Sequence, residues 1–304
     1  MNPLMDVSAL EKRLAAGRRT VLLDVRWALG DPHGHDHYLQ GHLPCAVFVD
    51  LAAELADPAA PERGRHPLPS PGALQDAARR WGTTRGDVVV AYDDSANMAA
   101  ARAWWMLRNA GVREVYLLDG GLAAWRAAGL PIEQGEVKAS PGDVTLAEGQ
   151  MPVLDAADVT GWLEGGLLAP GPASQRILLD ARAGERYRGE IEPVDPRAGH
   201  IPGAVSAPTT GNVDGAGRFL SPAELRRRFE SLGITDDSRV GVYCGSGVTA
   251  AHQVAALELA GFHAALYPGS FSEWSSNANL PVVTGPEPEG GGGPAEWKHG
   301  EAEG

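Results

Sequence analysis

Cysteine is scarce in this chain. Only Cys45 and Cys244 occur among 304 residues, too few for a disulfide framework. Positive charge is also short. The 26 Lys and Arg against 39 Asp and Glu leave a formal charge of −13. That balance excludes a general phosphate-backbone binder, so no nucleic-acid partner is expected, but it leaves room for a local basic pocket that takes a small anion. No apolar run reaches the roughly 20 residues of a membrane-spanning helix, so no membrane partner is expected. The opening stretch MNPLMDVSALEKRLAAG lacks the basic-then-apolar order of a secretory leader and reads as the first helix of a cytoplasmic protein.

What the chain does have is a repeat. VLLDVRW at 21–27 matches ILLDARA at 177–183, and GHLPCAV at 41–47 matches GHIPGAV at 199–205. VVVAYD at 88–93 matches RVGVYC at 239–244, LLDGGLAAW at 117–125 matches LYPGSFSEW at 266–274, and GLPI at 129–132 matches NLPV at 279–282. Five matches in one order mean a duplicated domain. In each copy, short runs rich in Val, Leu and Tyr alternate with alanine-rich segments such as 98–111 and 248–261, which end at glycine and read as helices. That alternation predicts α/β architecture, two tandem domains each with a parallel sheet flanked by helices. The expected divisions are a first domain over 1–135, a polar linker over 136–151, a second domain over 152–285 and a disordered tail over 286–304.

The segment RVGVYCGSGVTAAH places Cys244 immediately after a predicted strand and before a helix predicted over Val248 to Leu259. In open α/β sheets, ligands bind at that strand edge. Loop N–H groups and the positive end of a helix favour thiolate over thiol there, so a lowered Cys244 pKa is expected. Gly245 and Gly247 let the loop curl so that N–H groups converge on one sulfur, and Ser246 and Thr249 add hydroxyls. The aligned loop of the first copy is DDSANM, with Asp93 where Cys244 sits. One active and one supporting domain fit that asymmetry.

The duplication, the Cys-Gly-Ser-Gly-Val-Thr loop at 244–249, the paired GH(L/I)P segments and LLDGGLAAW together resemble the tandem-domain rhodanese-like sulfurtransferases, over about residues 5 to 285. Within that family the 3-mercaptopyruvate enzymes typically carry this loop, whereas thiosulfate enzymes carry Cys-Arg-Lys-Gly-Val-Thr. A loop without Arg or Lys offers less to a dianion, which agrees with the distinction. The family's phosphatase relatives need Cys-x5-Arg; the corresponding residue here is Ala250, so no guanidinium is placed to clamp a phosphoryl group.

Carried over residue by residue, the resemblance implies a Cys244 nucleophile lying in a loop formed by Gly245, Ser246, Gly247, Val248 and Thr249. Arg186 in ERYRG and Arg197 after EPVDP are the implied ligands of the donor's carboxylate. Arg182 is read as a structural partner of Asp180. An Asp-His-Ser relay is implied at the domain interface, with Ser246 and His66 in GRHPLPS matching its serine and histidine, but Ala52 stands where its acid is expected. His42 and His200 recur in both copies and are read as folding residues, and Cys45, opposite Gly203, as a packing residue. His33, His35 and His37 alternate in a predicted loop without a clear fourth ligand, and no metal is expected. The implied activity is sulfur transfer from a small anionic donor through a Cys244 persulfide to a thiol, a thioredoxin-like protein or cyanide, without a cofactor. A non-catalytic persulfide-binding module is the alternative from another class.

Overall fold

The runs TVLLD, VVVAY, RILLD and RVGVY are buried on nearly every residue, as strands covered on both faces must be, and each becomes a central strand. The computed structural model describes residues 2–147, 149–164 and 175–291. Its first sheet contains β1 (Leu4–Met5), β2 (Thr20–Asp24), β3 (Val47–Phe48), β4 (Val88–Tyr92) and β5 (Val115–Leu118) in the order β1-β5-β4-β2-β3. The second contains β6 (Arg176–Asp180), β7 (Val205–Ser206), β8 (Arg239–Tyr243) and β9 (Ala264–Leu266) in the order β7-β6-β8-β9. All pairings are parallel. The second order repeats the first without its edge strand β1, whose place is taken by a single bridge from Val153 to Leu266.

The helices of the first half are α1 (Val7–Ala15), α2 (Gly34–Gln40), α3 (Leu51–Glu54), α4 (Pro71–Arg80), α5 (Ala100–Asn109) and α6 (Gly121–Ala127). Those of the second are α7 (Ala156–Glu164), α8 (Gly184–Arg188), α9 (Pro222–Ser231), α10 (Thr249–Leu259) and α11 (Ser270–Ser276). Helices α5 and α10 match the two alanine-rich segments, and each gives way to a glycine at φ 86°, Gly111 and Gly261, where a left-handed residue ends the helix. Both are buried almost all round, which means they are covered on two sides. One side faces their own sheet. The other faces the opposite half, since α5 and α10 pack on each other. Small alanine side chains permit that approach, and one apolar core runs through both halves from Val89 and Trp105 to Val254 and Leu266.

The duplication extends to individual hydrogen bonds. Arg26 donates to Asp24 and the Gly41 carbonyl, as Arg182 donates to Asp180 and the Gly199 carbonyl. The Tyr92 hydroxyl accepts from Leu43 N–H, and that of Tyr243 from Ile201 N–H. His42 stacks on Tyr38 and reaches the Gly135 carbonyl, while His200 stacks on Tyr187 and reaches the Pro288 carbonyl. These contacts are what the recurring GH and D-x-R signatures specify, and they hold loops to the sheet in both halves.

Two expectations, the tail and Cys45, are corrected. Residues 286–291, assigned to a disordered tail, fold back on the second half: the Pro288 carbonyl accepts from Gly203 N–H at 2.7 Å, and Gly291 N–H donates to Thr284 O at 2.9 Å. The rest of that tail lies outside the described residues. The polar linker is laid against the first half, with Gly142 N–H on Arg79 O at 2.8 Å, Ala147 N–H on Ala110 O at 2.8 Å, and Val144 buried. Cys45 is exposed and packs nothing. Its φ of 62° copies the 76° of Gly203, so the turn's backbone is kept and the side chain points outward.

His252 on α10 is wholly buried, stacked on Phe219 at 4.4 Å, and neither ring nitrogen is hydrogen-bonded, although the Ala96 backbone faces the ring. Burial holds its pKa down at about 3, against 6.5 for a free histidine. The unfolded chain therefore binds a proton that the folded chain refuses, and stability falls as pH drops from 6.5 toward 3. At pH 5 this group alone costs about 2 kcal/mol. Thermal melts at pH 7.5 and 5 should show the loss, and His252→Phe should reduce it.

Candidate active site

Strand β8 delivers Cys244 to the carboxyl edge of the second sheet, where it is 2% exposed. The start of α11 pins the loop that follows. Phe271 N–H donates to Cys244 O at 3.0 Å, Ser272 N–H donates to Gly245 O at 2.9 Å, and Cys244 N–H donates to Ser270 Oγ at 3.2 Å. Gly247 turns the loop with φ 75°, and any Cβ there would strike the Pro268 carbonyl oxygen. Val248 is buried beneath the loop, and Thr249 opens α10. Among the described residues, no acceptor takes the N–H groups of Gly245 to Thr249. They are left to whatever the cysteine carries.

The first half shows what such a loop binds. Asp93, in the place of Cys244, accepts N–H groups from Ser95 and Asn97 on Oδ1 at 2.9 and 2.7 Å, and from Ala99 and Ala100 on Oδ2 at 2.8 and 3.0 Å. Burial raises the pKa of this enclosed carboxyl, opposed by those four donors. Ala96 and Asn97 supply the left-handed turn at φ 59° and 63°. The strand-loop-helix unit is an anion cradle in both halves. In one an internal carboxylate fills it; in the other it surrounds a sulfur.

Across the interface, the first half contributes His66. Its Nδ1 shares a 2.7 Å hydrogen bond with Ser246 Oγ, so the structure brings these two expected residues together. The ring meets Trp27 edge-on at 5.3 Å. Burial, then the charges of Arg102 and Arg65, hold the His66 pKa down at about 4, so the imidazole is neutral at neutral pH. Among the described residues, no carboxylate is hydrogen-bonded to it. Asp50 caps α3 through the N–H groups of Ala52 and Ala53, and Glu54 accepts from Arg80 and Trp81. With alanine at position 52, the imidazole lacks the acid partner that the resemblance implied.

Beneath the loop lies Arg102 of α5, wholly buried. It donates to the carbonyls of Leu55 and His66 at 2.9 and 2.6 Å, while its Nη1 has no hydrogen-bond partner. That nitrogen would lie 3.0 Å from a Cβ on Gly247. Burial lowers the Arg102 pKa to about 10, and the Cys244 sulfur opposes that shift. At the mouth, Arg186 donates to Glu192 at 2.7 Å and to Asp195 at 3.0 Å. Asp195 also binds Arg65 of the first half. Burial raises the Asp195 pKa; for Glu192 burial acts the same way, but hydrogen bonds from Arg186 and two N–H groups win and lower it.

Arg197 stands apart, and its expected role at the carboxylate is corrected. Its guanidinium donates to the carbonyls of Trp274, Ser275, Asn277 and Leu280 at 2.7 to 3.0 Å. It ties down the carboxyl end of α11 and the turn beyond, with four of its five N–H donors engaged. Arg182 holds Asp180 and Glu192, as its structural reading anticipated. The three alternating histidines pair with separate carboxylates: His33 with Asp36, His35 with Glu136, His37 with Asp31. Residue patterns had passed over Arg65, Arg102, Asp195 and Trp27. Signals existed for two of them. Arg102 is a cation inside the otherwise apolar AARAWWML, and Arg65 adjoins His66.

Comparison with known proteins identifies the family. A family model described as a rhodanese-like domain matches residues 6–128 and 161–277. The chain is 47% identical to a Mycobacterium tuberculosis protein provisionally named a thiosulfate sulfurtransferase, SseB, over 93% of this chain and 97% of that one. It is 38% identical to the 3-mercaptopyruvate sulfurtransferase of Escherichia coli over 81% and 84%. The crystal structure of SseA from Escherichia coli superposes with a TM-score of 0.77 at 33% identity, covering 90% of this chain and all of that one.

Two results are expected from the site. Arg197→Gln should cost about 1–3 kcal/mol by stranding the partly buried carbonyls of Trp274, Ser275 and Leu280, read by denaturant unfolding, without altering alkylation of Cys244. The His66 ring should titrate near pH 4 by NMR. It therefore stays neutral, and no loss of transfer rate from its protonation should appear between pH 7 and 5.

Proposed function

This chain is a member of the rhodanese-like family, and from that premise we propose that it is a 3-mercaptopyruvate sulfurtransferase working through a persulfide on Cys244. The observation that carries the reading is the filled twin of the cradle: four N–H groups hold the Asp93 carboxylate in one half, and the matching loop of the other half surrounds a cysteine with N–H groups that no acceptor among the described residues takes.

In the proposed cycle, Arg186 orients the donor's carboxylate and the Cys244 thiolate attacks the donor's sulfur. The S–S bond forms as the carbon–sulfur bond breaks, and that bond's electron pair leaves on carbon as the enolate of pyruvate. A proton taken up at that carbon gives pyruvate. Ser246 is within reach of the developing charge, and its hydrogen bond to neutral His66 lets a proton pass between them. The persulfide anion rests on the N–H groups of Gly245 to Thr249 and faces Arg102. A thiol, a thioredoxin-like protein or cyanide then attacks the outer sulfur and restores Cys244. The absent acid at Ala52 gives His66 a positioning role rather than that of a charged relay member. The setting proposed is the cytoplasm.

One observation favours thiosulfate as a second donor. The loop carries no cation, but Arg65, Arg102 and Arg186 bring three guanidiniums around it, enough to attract a dianion. The ratio of kcat/KM for the two donors ranks them, and 3-mercaptopyruvate is expected to lead.

Brief exposure to 3-mercaptopyruvate should add one sulfur to the intact mass and release one pyruvate per chain. Cys244→Ser should do neither. A pyruvate burst retained by that variant would overturn the scheme.

A further inference from the structure

The correction of Arg197 leaves Arg186 alone to hold the donor's carboxylate, and Arg186 is already partly engaged. Its Nε and Nη2 donate to Glu192, and Nη2 also to Asp195. Its Nη1 has no acceptor among the described residues. A second guanidinium with free donors stands beside it, from the other half of the chain. Arg65 binds Asp195 through Nη1, and its backbone N–H donates to Ser272 Oγ at 3.1 Å. Its Nε is buried without a partner, and its Nη2 also has no acceptor among the described residues.

The two unengaged nitrogens face the same spot. A Cβ built on Gly245, the residue after the cysteine, would lie 2.7 Å from Arg65 Nη2 and 3.4 Å from Arg186 Nη1. Gly245 is buried against both guanidiniums, and its lack of a side chain lets them approach the loop and each other. One carboxylate holds both arginines in place, since Asp195 Oδ1 takes Arg65 and Oδ2 takes Arg186. The side-chain exposures, 25% for Arg65 and 16% for Arg186 against 1% for Asp195, put the strut behind and the guanidiniums toward the opening. Two N–H donors of like charge converging over a glycine suit a planar carboxylate, one oxygen to each.

We propose that Arg65 of the first half and Arg186 of the second together bind the carboxylate of a 2-oxo acid donor across the domain interface. Arg65 thereby fills the role that Arg197 does not. The inference rests on the sulfurtransferase reading for the donor's identity. It makes the half without the cysteine a direct contributor to substrate binding.

Steady-state kinetics with 3-mercaptopyruvate test it on Arg65→Gln, Arg65→Lys and Arg197→Gln, each checked by thermal unfolding. Loss of a charge-assisted contact should raise KM about 10- to 100-fold in Arg65→Gln, with kcat changed less than about threefold. Arg65→Lys should fall between it and the wild type, and Arg197→Gln should keep the wild-type KM. Gly245→Ala, whose Cβ would push the two guanidiniums aside, should also raise KM. A wild-type KM in Arg65→Gln, or the raised KM in Arg197→Gln instead, would overturn the proposal. Calorimetric titration of pyruvate into the Cys244→Ser background separates this result from the fate of the sulfurtransferase reading. If the wild type gains no sulfur from 3-mercaptopyruvate, that reading falls. The two-arginine site then stands if Arg65→Gln weakens pyruvate binding at least tenfold, and falls if it does not.

Discussion

The contact between α5 and α10 is the constraint on which the rest depends. Each helix is alanine-rich and buried on both sides, so neither half can shed its partner without exposing a continuous apolar face. By the usual area scaling, burying even a few such side chains contributes several kcal/mol. The functional consequence is geometric. Because the helix that opens after the cysteine loop is the one packed on the other half, the loop is placed at the interface by the same contact that stabilises the fold. Arg102, on α5, is carried beneath Gly247 by that packing, and the segment holding Arg65 and His66 lies over the loop's mouth.

Duplication gave the molecule two copies of one anion cradle, and the copies diverged by changing the occupant. With Asp93 the anion is covalent, buried and permanent, and its four N–H bonds make the first loop rigid. With Cys244 the occupant is a sulfur, which the proposed cycle extends by another and then strips of it. A carboxylate so enclosed is costly to bury, which is why its pKa is raised. The compensation is a first half that needs no ligand to be ordered and so presents Arg102, His66 and Arg65 at fixed positions. The half that lost the chemistry became the wall of the site.

The sequence made the fold legible because the fold's rules are local. Strand runs, glycine-ended helices and the repeated D-x-R and GH signatures each act within a few residues or within one half, and the five ordered matches predicted two equivalent sheets. Cys244 and its loop were legible for the same reason: strand end, glycines and helix start are contiguous. What escaped was long in sequence and short in space. Arg65 meets Asp195 across 130 residues, and His66 could be paired with Ser246, 180 residues away, only through family resemblance. Arg197 was misread because a motif names a residue without naming its partners. Four carbonyls around the end of α11 claim it, and no pattern in the EPVDP segment announces them.

Burial of the nucleophile sets the last requirement. At 2% exposure, Cys244 cannot be approached from bulk water along most directions, so a donor must enter where the loop's own side chains are absent. Gly245 carries no side chain, and the residues packed on it, Arg65 and Arg186, are cationic. An anionic small molecule is drawn to them and oriented by them before reaching the sulfur, whereas a neutral thiol-reactive compound gains nothing there. The acceptor faces the opposite problem, because the persulfide's outer sulfur must be reached by a second nucleophile. In the proposed cycle a compact thiolate or cyanide reaches it once pyruvate has left. Donor and acceptor both react at one buried sulfur, so the proposed exchange runs with the donor in and its product out before the acceptor arrives.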